Sequence, residues 1–162
     1  MAGCTQTRNS SGMIVRLCMD EEIEEVSVIW HESRKRVHTE MGFESERDVS
    51  LEISRRVFRK DIAAAFDIWV FEEGENLLGF LAIRGSSIDR MYVRPEAQRR
   101  GVGSALLDKA RALSPGGLEL YTHVENHGAR TFYEKHGFGA VRFGMSSAPE
   151  NEPDVEYAWR QG

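Results

Sequence analysis

Seven residues near the middle of the chain, Gln98-Arg99-Arg100-Gly101-Val102-Gly103-Ser104, place two glycines and two guanidinium groups at the start of an apolar-periodic run. Two glycines at the mouth of a helix permit close backbone approach to a ligand. The free N–H groups there, reinforced by the helix dipole, form an anion site. Arg99 and Arg100 add positive charge in a form suited to phosphate. The chemistry this suggests is the holding of a pyrophosphate-containing cofactor. A plain glycine-containing loop with solvated arginines accounts for the same residues equally well. Two nucleotide motifs fail on residue type. A dinucleotide fingerprint G-x-G-x-x-G would need glycine where Leu106 stands, and a Walker loop would need a Gly-Lys-Ser/Thr run that the chain lacks. Metal chemistry is not expected, since the two cysteines, Cys4 and Cys18, form no CxxC or Cys/His spacing. Cys18 reads as a small packed hydrophobe.

Elements on both sides must position this loop. A first strand is expected over Met13–Cys18. A helix should follow with Asp20 as its N-cap, Glu21, Glu22, Glu24 and Glu25 at the positive end of its dipole, and Ile23, Val26 and Trp30 as its buried stripe. A second helix is expected from Ser45, with Asp48 completing an approximate capping box and Val49, Ile53 and Val57 repeating at spacings of four. The period then changes to that of strands: Asp67–Glu72, Leu77–Arg84 and Ile88–Val93, joined by turns at Glu73–Asn76 and Gly85-Ser86-Ser87. This antiparallel meander leads through Pro95 into the loop and a helix to about Leu113, with Val102, Leu106, Ala110 and Leu113 as its apolar face. After a break at Ser114–Gly117 come a strand over Leu118–Val124 and a short helix over Asn126–His136, which stops at Gly137 as a left-handed cap. Strands over Phe138–Met145 and Asp154–Arg160 complete the chain.

The bulk properties agree with a soluble α/β protein. The 162 residues suit a single domain over 13–162, preceded by a frayed leader over 1–12. The longest nearly apolar stretches, Ile62–Phe66 and Leu77–Ile83, fall short of the roughly 20 residues that span a bilayer. The first dozen residues contain no apolar core of a secretory signal, so a cytoplasmic home and no membrane partner are expected. A formal charge of −5 disfavours nucleic acid as a partner and mildly favours a cationic or amine substrate.

The motif Val93-Arg94-Pro95 followed by Gln98-x-x-Gly101-x-Gly103 resembles the acetyl-CoA motif Q/R-x-x-G-x-G/A of GCN5-related N-acetyltransferases (GNAT). A second block, Asn126-x-x-Ala129-x-x-Phe132-Tyr133-Glu134-Lys135-x-Gly137-Phe138, resembles that family's downstream block and lies about 25 residues further on. The resemblance covers Met13 to Arg160 as an order of elements and is specific over Val93–Phe138. It implies a mixed central sheet of about six or seven strands with a splayed parallel pair, flanked by about four helices. The cofactor it implies is acetyl-CoA. Backbone groups around Met91, Tyr92 and Val93 would pair with the pantetheine arm, and the N–H groups of Arg99, Arg100, Gly101, Val102, Gly103 and Ser104, after Gln98, would hold the pyrophosphate. Asn126 would cap the first turn of the short helix and hydrogen-bond the arm, with Ala129 and Phe132 beside it, and Lys135 would reach the 3′-phosphate or remain solvated.

The reaction so implied is direct acetyl transfer to a primary amine of a small molecule or peptide, with orientation and carbonyl polarisation lowering the barrier. Tyr133 matches the family's general acid, or serves only as an aromatic packing residue beside Phe132. A phenol with a pKa near 10 is a reasonable donor to a departing thiolate. The general base is chosen from His123, Glu119, Asp89, His38 and Glu40, with His123 first. Strand alternation puts Glu119, Tyr121 and His123 on one face. Acceptor specificity would fall to roughly Trp30–Arg47 and Ser146–Val155. There Trp30, His31, Met41, Phe43 and Trp159 are candidate pocket residues, although Trp30 and Trp159 also read as core. The acids Glu150, Glu152 and Asp154 would attract a cationic acceptor or simply keep the Ala148–Asp154 loop soluble. The rival reading is a non-catalytic acyl-CoA sensor of the same fold. Donors longer than acetyl, a hydroxyl acceptor and a homodimer joined through a sheet edge are all compatible with the sequence.

Overall fold

The computed structural model describes residues 12–42, 49–147 and 151–162. The expectations placed on Cys4 and the leader over 1–11, on Phe43, on a helix start at Ser45 with Asp48, and on Ala148 and Glu150 lie outside these residues. Among the described residues seven strands and four α-helices follow in the order β1 (Met13–Leu17), α1 (Ile23–Glu40), α2 (Leu51–Val57), β2 (Asp67–Glu73), β3 (Asn76–Arg84), β4 (Ser87–Val93), α3 (Val102–Leu113), β5 (Leu118–His123), α4 (His127–Lys135), β6 (Gly139–Met145) and β7 (Pro153–Trp159). They form one sheet in the order β1-β2-β3-β4-β5-β7-β6. Only β4 and β5 run parallel. The mixed sheet with its parallel pair and four helices is the architecture the motifs imply.

The continuous apolar run in β3 marks a strand buried on both faces, and two cores flank it. On one face Val26, Ile29 and Trp30 of α1 join Phe58 and Ile62 over Val70 and Phe80. On the other, Leu106, Leu107 and Ala110 of α3 and Tyr133 of α4 cover Leu81, Leu118, Leu120, Val155 and Tyr157.

Three local expectations are corrected. The first helical turn is capped at Met19 and α1 itself at Glu22, not at Asp20. Residues Asp20–Glu22 form a 3-10 turn, and the Glu22 carboxylate accepts the Met19 N–H at 2.9 Å. Arg16 holds Glu22 there with bonds of 2.8 and 2.7 Å while also reaching Glu72 at 3.0 Å, so one guanidinium ties β1, β2 and the start of α1 together. The hydrogen bond from Arg16 holds the Glu22 carboxyl below the usual carboxylate range. Helix α2 starts after Ser50, whose hydroxyl accepts the Ile53 N–H at 3.2 Å. Its buried side carries Ser54, Phe58 and Ile62, whereas Ile53 is exposed. Phe58 sets that rotation: its ring lies 5.8 Å from Trp30 and 5.4 Å from Phe80, and a π-helical turn over Phe58–Ile62 carries the buried side onward. In α3 it is Leu107 that completes the buried face, and Leu113 is exposed.

The sheet opens at its centre for a reason visible in the register. Ala82 pairs with Arg90 and Ile83 with Ile88, so Asp89 is an extra residue in β4. A bulge of this kind bends its strand and increases the local twist. Pairing between β4 and β5 is confined to Ser87 opposite Glu119, with the Glu119 N–H donating to Ser86 O at 2.9 Å. Beyond that point β4 remains paired to β3 and β5 to β7, and the two strands diverge.

Helix α3 sits unusually close to β3. A Cβ on Gly79 would lie 2.8 Å from Tyr92 O, 3.1 Å from Val102 Cγ1 and 3.3 Å from Leu106 Cδ1. Gly79→Ala therefore overpacks the seat of the helix, and urea unfolding should show a loss of about 1–3 kcal/mol.

Candidate active site

The gap between β4 and β5 is a cavity bounded by Ile88, Asp89, Met91 and Tyr92 on one wall and Leu120 and Thr122 on the other, with Asn126, Ala129 and Tyr133 of the α4 region closing it. Backbone groups of β4 and β5 that a neighbouring strand would occupy face this space, the arrangement in which an extended polar ligand is held like an added strand. Met91 and Val93 turn their side chains to the core beneath α3, and Tyr92 turns its ring to the opposite face, 6.0 Å from Phe80.

At the end of β4 the chain passes through a 3-10 turn (Pro95–Ala97) and the exposed Gln98 to the mouth of α3. Arg99 (φ 62°) and Gly101 (φ 84°) are both left-handed, and such residues turn successive N–H groups to one side. The first bond of the helix is Ala105 N–H to Gly101 O at 3.0 Å. The N–H groups of Val102, Gly103 and Ser104 precede it and have no intrahelical acceptor. Nothing lies within 4 Å of a Cβ built on Gly101, so space stands open in front of these donors. Gly103 has a different task. Its Cβ would meet the Phe132 ring at 3.2 and 3.3 Å, so the glycine lets α4 close against α3. Arg99 is exposed and Arg100 is exposed and ion-paired to Glu73 at 2.9 Å. Lys135, the last residue of α4, is exposed. This donor-lined cradle, continuous in sequence with a strand edge, fits a long ligand carrying a diphosphate.

Asn126 serves as the cap of α4, accepting the Ala129 N–H at 3.1 Å, and also lines the gap. Tyr133 is buried among Phe132, Phe138 and Tyr157, with ring separations of 5.3, 5.4 and 6.4 Å. Its hydroxyl has no hydrogen-bond partner among the described residues. Burial, with Tyr92 adding to it, pushes the phenol pKa up, so Tyr133 stays protonated across the physiological range.

The gap widens on the α1 side into a cavity of about 220 Å³. Trp30, Arg34, His38 and Met41 from α1 and its end form one wall, and Tyr121, His123 and Asp154 form the other. The face of β5 that carries Tyr121 and His123 thus looks into this space. The structure divides the five candidate bases. His123 and His38 meet here with ring centroids 6.5 Å apart, and Asp89 lines the cavity while accepting a 2.6 Å bond from Arg90. Glu119 accepts from Ser86 Oγ at 2.7 Å at the closed end of the gap, and Glu40 is exposed beside Arg36. Of the pocket candidates, Trp30 and Met41 line the cavity. His31 is engaged with Ser54 Oγ at 2.8 Å, and Trp159 packs with the core beneath α3 and α4. Arg34 and Arg90 both lie over Trp30, at 5.7 and 5.1 Å from its centroid, a placement that no spacing in the sequence announces.

Comparison with known proteins places this geometry. A sequence model of the acetyltransferase (GNAT) domain matches residues 64–139, from before β2 to the start of β6. The peptidyl-lysine N-acetyltransferase YjaB of Escherichia coli K12 is 31% identical over 127 residues, covering 76% of this chain and 80% of that protein. The chain belongs to the GCN5-related N-acetyltransferase family. It is an acetyl-CoA-dependent N-acetyltransferase, moving an acetyl group to an amine. The peptidyl-lysine N-acetyltransferase YiaC of the same organism is 40% identical over 74 residues, 45% of this chain and half of that protein. Among solved structures, apo YjaB superposes with a TM-score of 0.76 at 23% identity, over 91% of this chain and 97% of YjaB. The PaiA N-acetyltransferase of Thermoplasma acidophilum, solved with coenzyme A, superposes at 0.67 and 21% identity over 92% and 99%. These two show the shared fold. No helix among the described residues is long and apolar enough to cross a membrane.

The open space at Gly101 supplies a direct test of the cradle. Gly101→Glu puts a carboxylate and a strained backbone in front of the free N–H groups. Calorimetric titration should show acetyl-CoA affinity falling by roughly 100-fold or more while unfolding stays cooperative. Unchanged affinity would remove the loop from the cofactor site.

Proposed function

We propose that the acceptor is the side-chain amine of a lysine in a peptide or protein, acetylated in the wide end of the β4–β5 gap. The observation that carries this reading is the cavity formed where α1, β5 and β7 meet: it is continuous with the gap, open to solvent, and carries Asp154 and the Arg90-paired Asp89 beside two histidines, with Arg34 also on its lining. An alkyl ammonium group is drawn to such carboxylates, and the net charge of −5 acts in the same direction. The names of YjaB and YiaC, both peptidyl-lysine N-acetyltransferases, support the same acceptor class.

The residues of the chain divide the work. The edges of β4 around Met91, Tyr92 and Val93 would hold the pantetheine arm, with Asn126, Ala129 and Phe132 beside it. The N–H groups from Arg99 to Ser104 would hold the pyrophosphate, with Gln98 and Lys135 at the periphery. Bound acetyl-CoA supplies an activated thioester carbonyl. His123 takes the proton from the incoming ammonium, directly or through water, which requires a neutral imidazole. Tyr133 donates a proton to the departing sulfur. Burial raises its pKa, which keeps the phenol protonated at neutral pH and makes it a weaker acid than a free phenol, so the proton moves only as negative charge builds on the sulfur.

The sensor reading separates cleanly from this one. Incubation with acetyl-CoA and lysine-containing peptides should release free thiol and add one acetyl group to the peptide; cofactor binding with no thioester loss would favour the sensor. Two variants divide the proton steps. Tyr133→Phe should lower kcat by about 10²- to 10⁴-fold with acetyl-CoA affinity nearly unchanged, and should retain the acid limb of the pH–rate profile. His123→Gln should flatten that acid limb. Equal turnover in Tyr133→Phe would make Tyr133 a packing residue, and an unmoved limb in His123→Gln would transfer the base to His38 or Asp89.

A further inference from the structure

We infer that His136 is a positioning residue for the cofactor's diphosphate, acting through Ser104 so that the hydrogen bond offered at the mouth of α3 changes with the protonation of the imidazole. The inference rests on the assignment of Gln98–Ser104 as the pyrophosphate loop and deepens it.

Ser104 is the third residue of α3, so its N–H is among those left without an intrahelical acceptor. Its Oγ lies 2.9 Å from Nε2 of His136, while Nδ1 of the same ring lies 2.7 Å from Phe132 O. A carbonyl oxygen only accepts, so Nδ1 carries a hydrogen in either charge state. In the neutral ring Nε2 is then a bare lone pair, and the Ser104 hydroxyl must donate to it. What Ser104 Oγ can turn elsewhere is its lone pairs, which repel a phosphate oxygen. When Nε2 takes up a proton the bond reverses: the ring donates to Oγ, the hydroxyl hydrogen is released for a phosphate oxygen, and a positive charge stands behind it. A diphosphate at the loop therefore favours the protonated ring, and by linkage the protonated ring favours the diphosphate.

The ring is fixed well enough for this coupling to act. It stacks on Phe132 at 4.3 Å, and the backbone carbonyl of His136 accepts from Arg111 of α3. The charged groups around it are Arg111, which opposes protonation and is itself paired with Asp108 at 3.2 Å; Lys135 on the same helix; and Glu134, which is turned away to accept from Tyr157 Oη at 2.7 Å. From the loop come Arg99 and Arg100, the latter neutralised by Glu73. Among the described residues no carboxylate touches the imidazole, so its charge is free to act on a phosphate.

The test titrates the full chain with acetyl-3′-dephospho-CoA, which lacks the phosphate monoester that itself ionises near pH 6, at about pH 6 and about pH 8.5. The native chain should bind roughly 5- to 10-fold more tightly at the lower pH. His136→Gln, which keeps a neutral polar group, and Ser104→Ala should each lose most of that difference. If His136→Gln disturbs folding by circular dichroism, Ser104→Ala carries the test. A pH dependence kept in full by Ser104→Ala, or absent from the native chain, overturns the role of His136 and leaves the loop assignment standing. No binding by the native chain overturns both.

Discussion

The single extra residue in β4 is the constraint on which the rest depends. With Asp89 unpaired against β3, β4 bends after its first contact with β5, and the only parallel pair in the sheet separates. A separated parallel pair is costly on its own, since it presents two rows of backbone donors and acceptors that no strand satisfies. The fold sustains it by anchoring each strand on its far edge, β4 to β3 and β5 to β7, and by packing a core on both faces beneath the opening. The result is a slot whose polar edges are fixed before any ligand arrives. A slot preorganised in this way could take a long, flexible ligand without the protein having to order itself.

Glycines then set how closely the other parts approach the slot. Gly79 removes the Cβ that would keep α3 off the sheet, Gly103 removes the one that would keep Phe132 off α3, and Gly101 turns the chain left-handed at the helix mouth. The first two are packing positions and the third faces open space at the helix mouth, although all three look alike in the sequence. Tyr133 lies where these approaches converge. Its burial raises the phenol pKa and so keeps it protonated, and the residue lines the gap.

Much of this was legible in the sequence because the informative signals are local. The switch from helical to strand periodicity placed the meander, and Gln98–Ser104 and Asn126–Phe138 carried the cofactor motif within a few residues each. What escaped were relations between distant residues. Arg16 bridging Glu22 and Glu72 decides where α1 starts, and Asp20, a good cap by type, is displaced by it. The buried side of α2 follows Phe58 because that ring fits between Trp30 and Phe80, which outweighs the spacing of Val49, Ile53 and Val57. The bulge at Asp89 has no mark in β4 itself, since a register is a property of two strands. The same is true of Ser104 and His136, which meet across 32 positions. Candidate bases could be named from residue type but not sorted, because whether Glu119 faces a closed hydrogen bond and His123 an open cavity depends on where β4 leaves β5.

Backbone hydrogen exchange of the chain with and without acetyl-CoA addresses the central claim most directly. Bound cofactor should slow exchange along β4 from Met91 to Val93 and at the mouth of α3 from Arg99 to Ser104, while the far edge of the sheet at β1 stays unchanged. Saturating acetyl-CoA that protects neither segment would contradict that claim, since the splayed strands and the glycine loop would then not be where the cofactor lies.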